Sequence, residues 1–230
     1  MRLFFIHGAG CTDRVFRAQT RAFAGAIAIA LPGRGSEIGE PSTIAEFADS
    51  VARRLDQLPA GDVVLCGSSM GGAIALELGL RAHPRVKGLV LVGSGAKLRV
   101  APALFESLER DFPAGARTLA AMFFADATPA RVGEATAMML EVGQTQTLRD
   151  FRACDAFDAT RRVADLRVPL LALVGDRDVL MPPKFAQFLA DRIRGATARI
   201  LSGAGHLAMV ERPDETNAAL HAFVQEIENR

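Results

Sequence analysis

The chain has 230 residues, half of them hydrophobic, and its formal net charge is +1 at pH 7. This size suits one domain with a large buried core. Charges of both signs are mixed along the sequence, so we expect neither a nucleic-acid partner nor a membrane partner. Cys11, Cys66 and Cys154 are far apart and odd in number. They favour a reducing, cytoplasmic compartment and argue against a metal site built from paired cysteines.

Short apolar runs alternate with longer amphipathic segments along the chain. The runs contain almost no polar residues, which is typical of parallel strands that are covered on both faces. They lie at residues 3–6, 26–30, 63–66, 88–92, 170–174 and 198–201. This alternation predicts an α/β fold, with a mostly parallel sheet of about six strands flanked by helices.

The first predicted strand runs into His7-Gly8-Ala9-Gly10. Small residues at this point let backbone N–H groups approach a bound molecule, and we expect the amide of Ala9 to contribute to an oxyanion hole. In that arrangement His7 supports the loop and transfers no proton. Dinucleotide binding is a weaker interpretation, because the residues after Gly10 do not complete Gly-x-Gly-x-x-Gly.

Between the second and third predicted strands, apolar residues recur at helical spacing over positions 44–58. Thr43 and Glu46 can form a capping box at the start of this helix. Further helices are predicted after the elbow at residues 73–80, after Pro183, and from Asp214 onward.

Gly67-Ser68-Ser69-Met70-Gly71 lies between a predicted strand and a predicted helix. This is the context that a Gly-x-Ser-x-Gly nucleophile elbow requires, because a strained turn tolerates almost no side chain on its neighbours. Ser69 is therefore the candidate nucleophile, and the amide of Met70 is the second candidate donor to the oxyanion. Ser68 lacks the symmetric glycine spacing. The competing interpretation is a close-packed or phosphate-binding turn.

Residues 97–162, called the helical insertion below, interrupt the alternation. Their apolar residues recur at helical spacings and include no convincing strand. We expect the insertion to lie over the carboxyl edge of the sheet, where ligands bind in open α/β folds. Met122, Met138 and Met139 could line an adaptable apolar pocket, although ordinary packing explains any one of them as well.

The last two predicted strands end in loops that carry a candidate acid and a candidate base. Asp176 and Asp178 follow Gly175, and we prefer Asp178 as the residue that orients the base. Aspartates beside glycine are also common turn residues. His206 follows Gly205 after the last strand and is the candidate base for Ser69.

Together these motifs resemble the α/β-hydrolase superfamily. The resemblance includes His7-Gly8, the elbow at Ser69, the loops of Asp178 and His206, and a Pro-Gly-x-Gly turn at residues 32–35. It implies an α/β-hydrolase fold with a core at 1–96 and 163–230 and a helical cap at 97–162. The family usually has two strands before the His-Gly strand, whereas this chain has room for one, so we expect about six strands.

The resemblance and the Ser-Asp-His order imply a serine hydrolase similar to carboxylesterases. We expect cleavage of small, largely apolar carboxylic esters through an acyl-enzyme, without cofactor or metal, by a monomer or homodimer. A serine at position 69 argues against the epoxide hydrolases and haloalkane dehalogenases of this fold, which use aspartate there. Two alternatives stay open: a carbon–carbon hydrolase of dienone acids and a non-enzymatic ligand receptor.

Overall fold

The structure, a computed structural model, describes residues 1–35 and 37–229. Arg230, the last residue of the predicted core, lies outside the described residues, as does Ser36. Within the described part, six parallel strands form one sheet in the order β2-β1-β3-β4-β5-β6, which confirms the predicted fold class and number of strands. The strands are β1 (Arg2–Ile6), β2 (Ile27–Ile29), β3 (Val63–Ser68), β4 (Val86–Val92), β5 (Leu170–Gly175) and β6 (Ala196–Leu201).

The helices connect the strands or follow the last one, and short 3-10 turns occur at Asp13–Phe16 and Val163–Asp165. The α-helices are α1 (Arg17–Ala22), α2 (Ile44–Asp56), α3 (Met70–Leu80), α4 (Pro102–Arg110), α5 (Phe112–Met122), α6 (Pro129–Val142), α7 (Gln144–Ala156), α8 (Lys184–Arg192), α9 (Ala208–Glu211) and α10 (Pro213–Glu228). Helices α4 to α7 belong to the helical insertion between β4 and β5. None of the helices in the described ranges is long and apolar enough to cross a membrane.

The sheet separates two hydrophobic cores. Successive side chains of a strand point to opposite faces, so Phe4 and Ile6 enter one core while Leu3 and Phe5 enter the other. The first core includes apolar side chains of α2, α3 and α8, and the second includes those of α5, α6 and α10. Helices α5 and α6 of the insertion are thus part of the main packing of the molecule.

Strand β6 departs from the prediction that all strands are covered on both faces. Thr197, Arg199 and Ile200 are exposed, and Ile200 keeps 55% of its surface accessible. The physical reason is position: β6 is an edge strand that pairs only with β5. The charge of Arg199 is one of the ordinary ways in which an exposed edge avoids pairing with another chain.

The start of α2 differs from a complete capping box in one detail. The Thr43 hydroxyl accepts from the Glu46 amide at 3.2 Å, as the sequence predicts. The Glu46 carboxylate, however, accepts from the amide of Ser42 at 2.6 Å, one residue before the cap. The helix start is therefore held from both sides.

All six strands are parallel, so the loops that follow them leave from the same edge of the sheet. The loop after β1, the elbow after β3, the helical insertion after β4, and the loops after β5 and β6 all begin there. This topology brings residues that are far apart in sequence to one place.

Candidate functional site

Ser69 lies in the sharp turn between β3 and α3. Its φ of 52° and ψ of −115° put a residue with a side chain in a region that normally favours glycine. The turn is held by hydrogen bonds: the Ser69 amide donates to the Val92 carbonyl at 2.9 Å, and the Gly72 amide donates to the Ser69 carbonyl at 2.9 Å. This conformation is the one that a nucleophile elbow uses to expose its hydroxyl.

The glycines around Ser69 are required by close backbone contacts. A β-carbon at Gly67 would lie 2.1 Å from the Gly71 carbonyl oxygen. A β-carbon at Gly71 would lie 2.0 Å from the carbonyl oxygen of Ile6 on the neighbouring strand. Both distances are far inside van der Waals contact, so the turn, strand β1 and helix α3 fit together only without these side chains.

His206 and Asp178 form a buried hydrogen-bonded pair. The His206 Nδ1 lies 2.9 Å from Asp178 Oδ2, and the side chains are 4% and 0% exposed. The other Asp178 oxygen accepts from the amides of Leu180 at 2.9 Å and Met181 at 2.8 Å. Burial alone would raise the pKa of Asp178, but His206 and these two amides outweigh it and hold the pKa below its ordinary value. The carboxyl group is therefore an anion beside the imidazole.

Asp176, the other acid of this loop, has a different partner. Its carboxylate accepts from the Gly203 amide at 2.7 Å and is exposed. It therefore braces the loop that carries His206 without contacting the imidazole. The structure brings Asp178, rather than Asp176, to His206.

Gly93, directly after β4, packs against the His206–Asp178 pair. The sequence does not predict this contact. A β-carbon there would lie 3.0 Å from His206 Nδ1 and 3.1 Å from Asp178 Oδ2, and the φ of Gly93 is +54°. Only glycine lets the backbone approach both groups in this conformation. The available signal was a glycine directly after a buried strand, which is too common to single out.

The loop after β1 lies against the elbow. A β-carbon at Gly8 would be 3.2 Å from the β-carbon of Ser69. The Ala9 amide, a predicted oxyanion donor, finds no acceptor among the described residues. The other predicted donor, the Met70 amide, is in the first residue of α3, where the helix dipole favours negative charge.

His7 is fully buried and supports this loop. Its Nε2 accepts from the Leu31 amide at 3.1 Å, so the proton must be on Nδ1, which lies 2.9 Å from the Gly8 carbonyl and donates to it. Burial, together with the nearby Arg34, lowers the pKa of His7 to about 3. His7 is thus a neutral link between the loop after β1 and the segment after β2.

A buried ion pair between Arg34 and Asp150 is a second feature that the sequence reading missed. The side chains are 2% and 0% exposed, and the guanidinium contacts both carboxylate oxygens. Asp150 also accepts from the Gly10 amide at 3.0 Å, and Arg34 Nε donates to the Cys11 carbonyl at 3.3 Å. The pair therefore joins α7 of the insertion to the loop that contains Ala9.

A cavity of about 290 Å³ lies above the elbow, and both Ser69 and His206 line it. Gly8 and Ala9 line it as well, so the predicted nucleophile, base and oxyanion loop face one space. Its lining from the helical insertion is mostly apolar. These residues are Leu98, Arg99, Val100, Ala101, Leu104, Leu119, Met122, Phe123, Phe151 and Cys154.

The three methionines of the insertion have different environments. Met122 lines the cavity and keeps 40% of its surface exposed. Met138 and Met139 are buried in the second core, away from this lining. Pocket lining thus applies to Met122, and ordinary packing to the other two.

The residues described, 1–35 and 37–229, contain no group of three or more histidine, cysteine, aspartate or glutamate side chains placed to hold a metal ion.

Comparison with known proteins identifies the family of this chain. Residues 3–219 match the model of the alpha/beta hydrolase family. The chain is 28% identical to a pimeloyl-[acyl-carrier protein] methyl ester esterase of Neisseria meningitidis, over 97% of this chain and 77% of the relative. It is 30% identical to a putative carbamate hydrolase of Azorhizobium caulinodans, over 84% of this chain and 77% of the relative.

Among solved structures, the chain is similar to a thermophilic esterase with a TM-score of 0.89. The two sequences are 31% identical, and the match covers 98% of this chain and 90% of the esterase. The family model matches most of the chain, and the chain belongs to the alpha/beta hydrolase family.

Proposed function

We propose that this protein is a serine hydrolase that cleaves carboxylic esters of small, largely apolar substrates. Ser69 is the nucleophile, His206 the base and Asp178 the residue that orients the base. The observation that carries this proposal is one cavity lined by Ser69 and His206, with His206 hydrogen-bonded on its far side to Asp178.

The geometry supports an acyl-enzyme mechanism. The Asp178 carboxylate accepts a hydrogen bond from Nδ1–H of His206, which leaves Nε2 unprotonated and able to take the proton of the Ser69 hydroxyl. The Ser69 oxygen attacks the ester carbonyl, and the amides of Ala9 and Met70 donate to the resulting oxyanion. His206 then gives its proton to the departing alcohol. Water activated by the same imidazole releases the acid from Ser69.

The cavity supports the proposed substrate preference. Its apolar lining favours an uncharged ester with a short or medium acyl chain, and residues 97–162 act as the cap that supplies much of this lining. The names of the two relatives, an ester hydrolase and a carbamate hydrolase, support acyl transfer to water. We further propose a cytoplasmic protein that works as a monomer or homodimer.

The test compares wild type with Ser69→Ala on p-nitrophenyl acetate and butyrate. We expect Ser69→Ala to lower kcat by at least about a thousandfold. Ser68→Ala is the matched control, because it removes the neighbouring hydroxyl, which is buried and has no hydrogen-bond partner among the described residues. It should keep kcat within about tenfold of wild type.

Other outcomes separate the alternatives. Turnover of a dienone acid without turnover of esters would favour a carbon–carbon hydrolase. A wild-type protein that turns over no member of a broad ester panel, yet binds a small molecule tightly in this cavity, would favour a receptor. Equal activity of Ser69→Ala and wild type would contradict the assignment of the nucleophile.

A further inference from the structure

The loop that carries His206 is held by a buried carboxylate outside the proposed triad. Glu211, at the end of α9, has a side chain that is only 1% exposed. One of its oxygens accepts from the Gly205 amide at 2.6 Å. Gly205 directly precedes His206, so this charge-assisted hydrogen bond restrains the backbone from which the imidazole extends.

The same carboxylate holds the helical insertion. It accepts from the amides of Ala125 and Asp126, each at 3.0 Å, and lies 3.5 Å from an Arg131 guanidinium nitrogen. The carboxylate is thus fully surrounded by donors, which is what a buried anion requires. These amides come from the segment between α5 and α6.

That segment contacts His206 directly. The rings of Phe123 and His206 have centroids 5.9 Å apart and are tilted by 31°. The Leu207 amide donates to the Phe123 carbonyl at 3.0 Å, and a β-carbon at Gly205 would lie 2.6 Å from the Ala125 amide nitrogen. The loop and the insertion are therefore in close contact on both sides of His206.

We propose that Glu211 is a positioning residue for the hydrolysis. It fixes the backbone before His206. Through the amides of Ala125 and Asp126 it also fixes the segment that carries Phe123, whose ring packs against the imidazole. This inference rests on the proposed function for its link to turnover. Its structural part, the restraint on His206, is independent of any substrate.

The first test is the kinetics of Glu211→Gln with p-nitrophenyl butyrate. Glutamine has nearly the same shape, but it presents an NH₂ group where the carboxylate accepted from an amide. We expect kcat to fall at least tenfold, because the alignment of the base changes. KM should change less than kcat, because Glu211 itself does not line the cavity. Arg131→Met is the matched control: it removes the cation beside the same carboxylate, together with the Arg131 hydrogen bonds to Asp126, and retains the amide donors at Gly205, Ala125 and Asp126. Its kcat should stay within threefold.

Glu211→Asp provides a second variant in case Glu211→Gln does not fold. It keeps the charge, but it is one methylene too short to reach the amides of Gly205 and Asp126 together, and we expect a kcat loss of at least fivefold. Thermal unfolding identifies the variants that are folded at the assay temperature. A folded Glu211 variant with wild-type kcat would overturn the proposal.

The second readout needs no substrate. The proton between His206 Nδ1 and Asp178 should give a downfield NMR signal that disappears in Asp178→Asn. We expect this proton to exchange with water at least tenfold faster in Glu211→Gln than in wild type or Arg131→Met. Unchanged exchange would refute the positioning role. Accelerated exchange in a protein that hydrolyses no ester would uphold the restraint on His206 and refute the proposed function.

Discussion

Replacing Arg34 by methionine tests the energetic importance of the buried ion pair. The Arg34 side chain is 2% exposed and its partner Asp150 is 0% exposed. Besides this pair, the guanidinium donates to the Cys11 carbonyl at 3.3 Å and to the Pro32 carbonyl at 3.0 Å. Methionine fills much of the same volume but leaves the carboxylate and both carbonyls without these donors.

The expected loss of stability is large because one charge stays behind. Breaking a buried pair by removing one partner costs about 3–5 kcal/mol, whereas replacing both partners by apolar residues is often close to neutral. The remaining hydrogen bonds to Asp150, from the Gly10 amide at 3.0 Å and Gln146 at 2.9 Å, offset part of the loss. We therefore expect Arg34→Met to lower the free energy of unfolding by about 3 kcal/mol at pH 8. The double variant Arg34→Met/Asp150→Leu should lose less.

The loss should also depend on pH. Burial raises the pKa of Asp150, and Arg34 counteracts part of that rise. Without Arg34 the folded-state pKa rises further above the value of about 4 in the unfolded chain. The folded variant then binds a proton that the unfolded chain releases, so its stability increases as pH falls. The difference between variant and wild type should be smaller at pH 5 than at pH 8.

Urea unfolding followed by circular dichroism at both pH values measures these differences. Arg34→Lys is the matched control, because it keeps the charge and loses the bidentate contact. Its deficit should be smaller than that of Arg34→Met and should change less with pH. A loss below about 1 kcal/mol for Arg34→Met at pH 8, or a deficit that grows on acidification, would refute this account of the pair.

Three further changes have expected outcomes. Asp178→Asn should lower kcat about a thousandfold or more, with the fold intact by circular dichroism, because the 2.9 Å contact that fixes the His206 tautomer is lost. Gly71→Ala should lower Tm by many degrees or prevent folding, since its β-carbon would lie 2.0 Å from the Ile6 oxygen; an unchanged Tm would contradict the elbow geometry. Burial raises the pKa of Cys11 to about 12, so iodoacetamide at pH 8 should label it in urea but not in the native protein, as mass spectrometry can show.

Local patterns predicted much of the fold. Each apolar run became a strand, because a buried parallel strand must be apolar on both faces. The exposure of β6 was not predictable from residues 196–201, since it depends on which strand ends up at the edge of the sheet. Strand order is a property of the whole chain, and no run of six residues encodes it.

The sequence likewise predicts some residues of the candidate site and not others. The sequence predicts Ser69, Asp178 and His206 because short glycine-containing turns carry their own steric signature. Arg34 and Glu211 had no such signature, because their roles come from distant partners. Arg34 pairs with Asp150, 116 positions away. Glu211 accepts a hydrogen bond from the amide of Ala125, 86 positions earlier. A charged side chain in a sequence is most often solvated, and only the tertiary structure identifies these two as buried.

The carboxylates of Asp150 and Glu211 also bear on how substrates enter. Asp150 joins α7 to the loop after β1, and Glu211 joins the loop before α6 to the loop of His206. Lifting the insertion as a rigid body would separate Arg34 from Asp150. It would also break the hydrogen bonds from backbone amides to Asp150 and Glu211. We therefore expect substrates to enter through movements of side chains at the mouth, where Val179 is 64% exposed, rather than through opening of the insertion.

Hydrogen exchange under native conditions distinguishes the two routes. If the insertion stays docked, the amides of α7 should exchange only through large-scale unfolding, at a free energy close to that of β5 in the core. Low concentrations of urea should then accelerate exchange in both elements to a similar extent. Arg34→Met should weaken the protection of α7 more than that of β5, because it removes the ion pair on the insertion side. Rapid, urea-independent exchange throughout α7 in the wild-type protein would show that the insertion opens locally, and the argument for a fixed insertion would fail.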